Sequence, residues 1–389
     1  MNRGLSKDPR FFFQEFWSAL MEKLEKLREN VQQIDRDIVR MIGKRIELTR
    51  TIGKVKKNAG LPLLNYQIEK TVIENARAVA DDFQLSPDFI KSVMQLLIGE
   101  SRIQQEKLHY SGYCGNKETI LIIGGLGEMG HWLANFFENQ GHEVLIYDIC
   151  KAASEFQVVA TLAEGLQRAS CAVVSVSLDV APETIDQIVA LNFKGLIFDI
   201  ASVKSHLIES IERAKQKGAL ITSIHPMFGP RARTLSDKVV CFCDCGNAEA
   251  LERSKGFFKE TAVCSVDLAL DSHDKAISYV LGLSHIINII FMNVLSKSGF
   301  RYSDLKEIAS TTFLSQMITA TSVINENPDL YFLIQRYNPF NKEIYEQMKD
   351  AMTATIDSVV HERRDIFARS MLESKEWLNE PENRERSAV

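Results

Sequence analysis

Three things are scarce in this 389-residue sequence: blocks of like charge, paired cysteines and uninterrupted apolar runs. Basic and acidic residues number 46 and 51 and are interspersed, for a net charge of -5. That balance gives no electrostatic footprint for nucleic acid or a membrane surface. Seven cysteines form an odd set with no C-x-x-C, which fits a reducing compartment better than a disulfide framework. Cys241, Cys243 and Cys245 alternate as small apolar strand residues do, with a C-x-C-x-C metal site as the alternative; no metal is expected. No apolar run reads as reaching the roughly twenty residues that span a bilayer, and residues 11–20 are interrupted by Gln14 and Glu15. With no cleavable signal in view, a cytoplasmic protein is expected. The length implies two or three domains.

What is present centres on residues 119–148. Residues 120–123 read as a buried strand, Gly125, Gly127 and Gly130 spell G-x-G-x-x-G, and residues 144–147 form the next strand, ending in Asp148. Gly125 permits the tight turn, Gly127 lets backbone approach a pyrophosphate, and Gly130 allows close packing of helix on strand. Leu126, Glu128 and Met129 complete the turn, and the helix it opens offers free N–H groups to phosphates. Asp148 stands where a carboxylate hydrogen-bonds a ribose 2′-hydroxyl and repels a 2′-phosphate, so NAD is expected over NADP.

Strands follow near Phe156 and at 172–176, 196–199 and 220–224, with helical segments between. This is the doubly wound, Rossmann-type pattern, whose ligands bind beyond the carboxyl ends of the strands. Two such ends carry polar groups: Asp199 leads into Ala201-Ser202-Val203-Lys204, and His225 opens His225-Pro226-Met227-Phe228-Gly229-Pro230. A histidine before proline is held extended or in a turn, so His225 reads as a loop residue and an acid–base candidate, an ordinary loop histidine being the alternative. The strand pattern stops at Val263, and helices run from Ser272-His273-Asp274 to about Trp377. Tyr279, Leu283, Ile286, Ile287, Ile290 and Val294 form a stripe suited to a dimer-forming helix. His285 reads as a substrate-binding residue or a satisfied core histidine. Residues 379–389 are polar and expected to fray.

The first third is helical. Apolar residues from Phe12 to Val55 fall on one stripe for more than forty residues, a helix on the order of 60 Å that needs a partner. Gly60 and Pro62 end it, a second helix covers roughly 65–81, and Ser86 caps a third that runs to about Leu108. Arg45 and Lys56 point within about 20° of each other, whereas Arg28 lies about 100° away. A pocket using all three cations therefore takes Arg28 from a second copy. Ser101 and Gln105, at i and i+4, line the same cavity; a solvated charged face is the alternative.

Leu27-Arg28, Ile34-Asp35, residues 44–48 (KRIEL), residues 52–56 (IGKVK) and Glu100-Ser101 resemble the all-helical chorismate mutase domain. The glycine turn with Ala201-Ser202-Val203-Lys204 and HPMFGP resembles prephenate dehydrogenase. Together, over nearly the whole chain, the sequence resembles the bifunctional chorismate mutase/prephenate dehydrogenase family. The implied organisation is a multidomain α and α/β protein: mutase-like dimer domain 1–110, linker 111–117, Rossmann domain 118–267 and an all-helical dimerisation and substrate domain 268–389.

The resemblance implies that Arg28 of one subunit and Arg45 of the other hold the carboxylates of chorismate, that Lys56 and Gln105 meet the breaking ether oxygen, and that Glu69 meets the ring hydroxyl. A pericyclic rearrangement needs only a compact conformer and cations where negative charge develops. It further implies that His225 accepts a hydrogen bond from the prephenate 4-hydroxyl during NAD-dependent oxidation, and that Ser202, Lys204 and His285 position substrate and cofactor. The expected protein is a cytoplasmic homodimer feeding tyrosine synthesis, with tyrosine a feedback inhibitor. Three departures stand out: Ile68 and Ser322 occupy positions where the family has arginines, and Arg231 one where an acid is usual. The first two fall where carboxylates or ring groups bind, so an aminated analogue as substrate, or a chain with one activity degenerate, are the alternatives.

Overall fold

The computed structural model describes residues 9–59, 66–110, 113 and 115–380. The helix stop expected at Gly60 and Pro62, linker residues Ser111, Gly112 and Cys114, and the tail from 381 lie outside the described residues. Three helices come first: α1 (Pro9–Asn58), α2 (Tyr66–Ala80) and, after a 3₁₀ turn at Asp81–Phe83, α3 (Pro87–Tyr110). Pro87 sits in the first turn of α3, where its missing N–H costs nothing, and the Phe89 N–H reaches Ser86 Oγ at 3.5 Å. At 50 residues, α1 is about 75 Å long. α3 packs on both α1 and α2, but much of the α1 stripe stays open among the described residues: Val31, Ile34, Met41 and Leu48 are 57–66% exposed.

The sheet comprises β1 (Thr119–Ile123), β2 (Glu143–Tyr147), β3 (Gln157–Val158), β4 (Cys171–Val174), β5 (Leu196–Asp199), β6 (Leu220–Pro226), β7 (Val239–Asp244) and β8 (Cys264–Ala269). Their order is β3-β2-β1-β4-β5-β6-β7-β8, parallel except where β7 runs against β6. β1, β4 and β5 are nearly continuous buried apolar runs because helices cover both faces. α4 (Glu128–Asn139) and α8 (Ala248–Gly256) lie over one face, with Phe136, Phe137, Phe257 and Phe258 in the core there. α5 (Leu162–Arg168), α6 (Ala181–Ala190) and α7 (Ile208–Gln216) cover the other through Leu166, Ile185 and Ile211.

Two readings of this region change. Strand structure continues past Val263 into β8, whose alternating, largely exposed edge-strand residues give a weak signal. His225 lies in β6 rather than in a loop, opposite Cys241 of β7. An extended residue before proline is equally at home in a strand once an antiparallel neighbour exists.

The last part is helical: α9 (Leu270–Ile277), a π-helical segment (Ser278–Leu283), α10 (Ser284–Ser296), α11 (Tyr302–Glu307), α12 (Thr311–Ile324), α13 (Pro328–Tyr337), α14 (Asn341–Val360) and α15 (Arg364–Asn379). α9, the π segment and α10 form one 27-residue helical run, Leu270–Ser296, long and apolar enough by composition to cross a membrane. The expectation that no run reaches that length is corrected. Here the run is a scaffold helix: it carries buried His273, Asp274, His285 and Asn288, and packs on β7, β8, α12 and α14. Tyr279, Ile287 and Ile290 also line an open apolar groove of about 670 Å³ facing Met348 and Met352 of α14.

Candidate active sites

At the glycine turn the left-handed residue is Gly124 (φ +82°), not Gly125. Its N–H donates to Tyr147 O, which carries the chain off β1 beside β2. Gly125 is needed for a different reason, since a Cβ there would press on Ile146. Gly127 precedes α4, and a Cβ on Gly130 would lie 2.2 Å from Gly124 O, so helix and turn meet only because that position has no side chain. Asp148 is half-buried and spans the turn: Oδ2 accepts from Leu126 N at 3.0 Å and Oδ1 from Cys150 N at 2.9 Å. Glycine cradle, helix start and acid thus surround one open strand end, a donor set that fits a dinucleotide. Glu128 and Met129 open α4 beside it.

The second cluster lies at the ends of β5 and β6. His225, 3% exposed, places Nδ1 3.0 Å from Nε2 of His273, whose Nδ1 stands 2.7 Å from Asp274 Oδ1. Burial pushes Asp274 up, but hydrogen bonds from His273, Ser205 and Lys204 outweigh it and hold its carboxyl below the usual range. Burial drives His225 well below the ordinary imidazole value, and the Lys204 charge pushes the same way. Burial likewise lowers His273, so both rings are neutral. An ionised Asp274 fixes the rest: His273 donates from Nδ1, its Nε2 accepts from His225 Nδ1–H, and His225 Nε2 carries the free lone pair.

Lys204, expected to touch substrate, is 0% exposed. Its Nζ donates to Asp199 Oδ1 and to Ile224 O, both at 2.7 Å, so it holds β5 to β6 and sets the field at His225 from behind. Asp274 also accepts the N–H groups of Lys204 and Ser205, pinning the turn that carries half-buried Ser202. From sequence, Ser272-His273-Asp274 reads as a helix start whose family counterpart lies near the substrate, with no role given to His273 or Asp274 themselves. The adjacent His-Asp pair opening a helix was the available signal. His285 is buried on α10, stacked on Tyr331 with ring centroids 4.2 Å apart, and burial lowers it to about 4. Its Nδ1 has no hydrogen-bond partner among the described residues. Ser322 is exposed on α12 and donates to Thr319 O; Arg231 and Arg233 are exposed, and Arg233 lines a cavity of about 260 Å³ against α4.

In the first part, Arg45 Nη1 donates to Ser101 Oγ at 2.6 Å and Leu97 O at 3.0 Å. Gln105 Nε2 donates to Thr49 O at 3.0 Å, and Ser101 and Gln105 are buried. Arg45, Ser101 and Gln105 are therefore together. Lys56 and Glu69 are half-buried on α1 and α2. Arg28 stands apart, its side chain 66% exposed and paired with Glu25 on its own helix. Sequence reading missed Arg102, whose guanidinium bonds Glu69 through Nε at 2.9 Å and through Nη2, supplying a cation beside the Ile68–Glu69 pair.

Family models match in the same order as these parts: chorismate mutase type II over residues 27–106, the prephenate dehydrogenase nucleotide-binding domain over 133–266 and the prephenate dehydrogenase dimerization domain over 270–373. The chain is 23% identical to the T-protein of Enterobacter agglomerans over 364 residues, covering 93% of this chain and 94% of that one. It is equally identical to the T-protein of Haemophilus influenzae over 366 residues, at the same coverage. A solved prephenate dehydrogenase from A. aeolicus, bound to hydroxyphenyl propionate and NAD+, shares the fold over 67% of this chain and 97% of its own, with a TM-score of 0.56 at 17% identity. With a mutase model, two dehydrogenase models and end-to-end relatives in register, the chain belongs to the bifunctional chorismate mutase/prephenate dehydrogenase family.

Proposed function

We propose that two consecutive reactions of tyrosine synthesis run at the two clusters just described: chorismate rearranges to prephenate among α1, α2 and α3, and prephenate is oxidatively decarboxylated to 4-hydroxyphenylpyruvate at the ends of β1, β5 and β6. In the first, Arg45 and the Arg28 of a second copy grip the two carboxylates of chorismate. Ser101 supports Arg45, Lys56 and Gln105 meet the ether oxygen as negative charge develops, and Glu69, steadied by Arg102, keeps lone pairs for the ring hydroxyl. NAD, bound across the Gly124–Gly130 turn with Asp148 toward its ribose, supplies the hydride acceptor.

In the second reaction His225 takes the 4-hydroxyl proton at Nε2, the nitrogen that Asp274 and His273 leave unprotonated. Loss of carbon dioxide then aromatises the ring. Ser202 and His285 flank the substrate. The reading includes a cytoplasmic homodimer, and tyrosine, which repeats the ring and hydroxyl of the product, as feedback inhibitor. The Asp274–His273–His225 chain is the observation that carries the dehydrogenase half. His225→Asn should lower the rate of NADH formation from prephenate by about a hundredfold or more and leave chorismate turnover intact. Equal loss of both activities would make His225 structural.

A further inference from the structure

One helix serves both sites. α3 bonds α1 through Ser101 and Gln105, while the next residue in each case, Arg102 and Glu106, bonds the 227–238 connection between β6 and β7. Glu106 is 1% exposed. Its Oε2 accepts from Leu235 N at 2.8 Å and from the Thr234 hydroxyl at 2.5 Å, and its Oε1 accepts from Ser236 N at 2.6 Å. One turn earlier Arg102 bridges Glu69 of α2 and Asp237, which sits at φ +61° at the end of the same loop. The incoming limb of the loop is held by the dehydrogenase domain itself: Phe228 packs on Trp132 of α4 with centroids 5.0 Å apart, and Trp132 Nε1 donates to Ala232 O. The outgoing limb is held by the mutase helix.

We infer that Glu106, with Arg102, is a positioning residue for the dehydrogenase reaction, contributed by the mutase domain. The loop leaves β6 just after His225 and returns as β7, which pairs with His225 at Cys241. Its outgoing limb therefore sets where β7 begins and how the wall beside His225 is aimed. The buried backbone N–H of Leu235 has the Glu106 carboxylate as acceptor and would be desolvated and unpaired without it, while Ser236 N–H would be left with the Thr234 hydroxyl at 3.0 Å. The same Arg102 steadies Glu69, so the mutase pocket and the dehydrogenase loop share one guanidinium. Glu106 touches neither substrate; it acts through the loop.

The test uses the full chain. Glu106→Gln is nearly isosteric but turns an amide NH₂ toward backbone donors. Trypsin should then cut after the exposed Arg231 and Arg233 faster than in wild type, and the KM for prephenate in NADH formation should rise about tenfold. The KM for NAD and turnover of chorismate should stay within about twofold. Thr234→Val removes a donor on the loop side, leaves α3 untouched and should move both readouts in the same direction by a smaller factor. Unchanged cleavage and unchanged prephenate KM in both variants overturn the inference, as does an equal loss of both activities with a lowered Tm, which is what a merely structural carboxylate gives. The inference rests on the dehydrogenase reading; wild type that forms no NADH from prephenate sinks that reading, while the trypsin comparison still decides whether Glu106 holds the loop.

Discussion

His225 can accept a proton only if its lone pair is on Nε2, and that is decided by a carboxylate one ring removed. Asp274→Asn tests this. An asparagine amide can donate to His273 Nδ1, which reverses the chain and places a proton on His225 Nε2. NADH formation should fall by roughly 10²–10⁴ with prephenate KM little changed, the scale seen when a catalytic histidine is held in the wrong tautomer. Retention of full kcat would mean the tautomer is set elsewhere; imidazole ¹⁵N shifts give the direct readout. Ser322 makes a complementary case, because its hydroxyl is spent on Thr319 O of its own helix and offers substrate no charge. If α12 faces the carboxylates, Ser322→Arg should lower the prephenate KM by about tenfold, the value of a charge-assisted bond. An unchanged KM, with impairment in Arg231→Ala or Arg233→Ala, would assign that role to the loop arginines.

At the scale of elements, legibility followed locality. The glycine turn, the 50-residue α1 and the Ser86 cap are written in residues that touch within a few positions, so periodicity and spacing found them. β8 and the strand position of His225 depend on neighbours up to about 25 residues away, and the Arg102 and Glu106 contacts bridge 33 to 135 positions, beyond any window of spacing. The π segment Ser278–Leu283 has no sequence signature of its own; Gln335 Nε2 donates to the carbonyl of Gly282 within it. One turn beyond sits His285, lowered to about 4 by burial against an ordinary value of 6.5. Between those values the unfolded chain binds a proton that the folded one refuses. The stability from this residue is thus complete above about pH 6.5 and lost as pH falls toward 4. His225 and His273 shift the same way. Thermal unfolding followed from pH 7 to 4 should show a falling Tm, and His285→Phe, which keeps the stack on Tyr331, should flatten part of the slope. An identical slope in the variant would show that His285 does not contribute to it.

At the scale of the molecule, one chain is incomplete. The α1 stripe and the groove between α10 and α14 leave many large apolar side chains open to water among the described residues, and the latter lies in a dimerization domain. Along α1, Arg28 lies seventeen residues from Arg45, or about 25 Å, so no rearrangement within one straight helix brings both to one substrate. In the proposed mutase pocket, a second copy antiparallel along the stripe would bring an Arg28 to each Arg45 while covering Val31, Ile34 and Ile38. Arg28→Ala and Arg45→Ala should each be nearly inactive as mutases, since each pocket then lacks one carboxylate-binding cation. After subunit exchange between the two variants, each mixed dimer has one pocket with neither arginine and one with both. Chorismate turnover should therefore recover toward a quarter of wild type, because about half the dimers are mixed and half their pockets intact. NADH formation from added prephenate should be unaffected throughout. If exchange is demonstrated by mass and no mutase activity returns, Arg28 and Arg45 do not meet across the subunits, and the stripe on α1 pairs in another register.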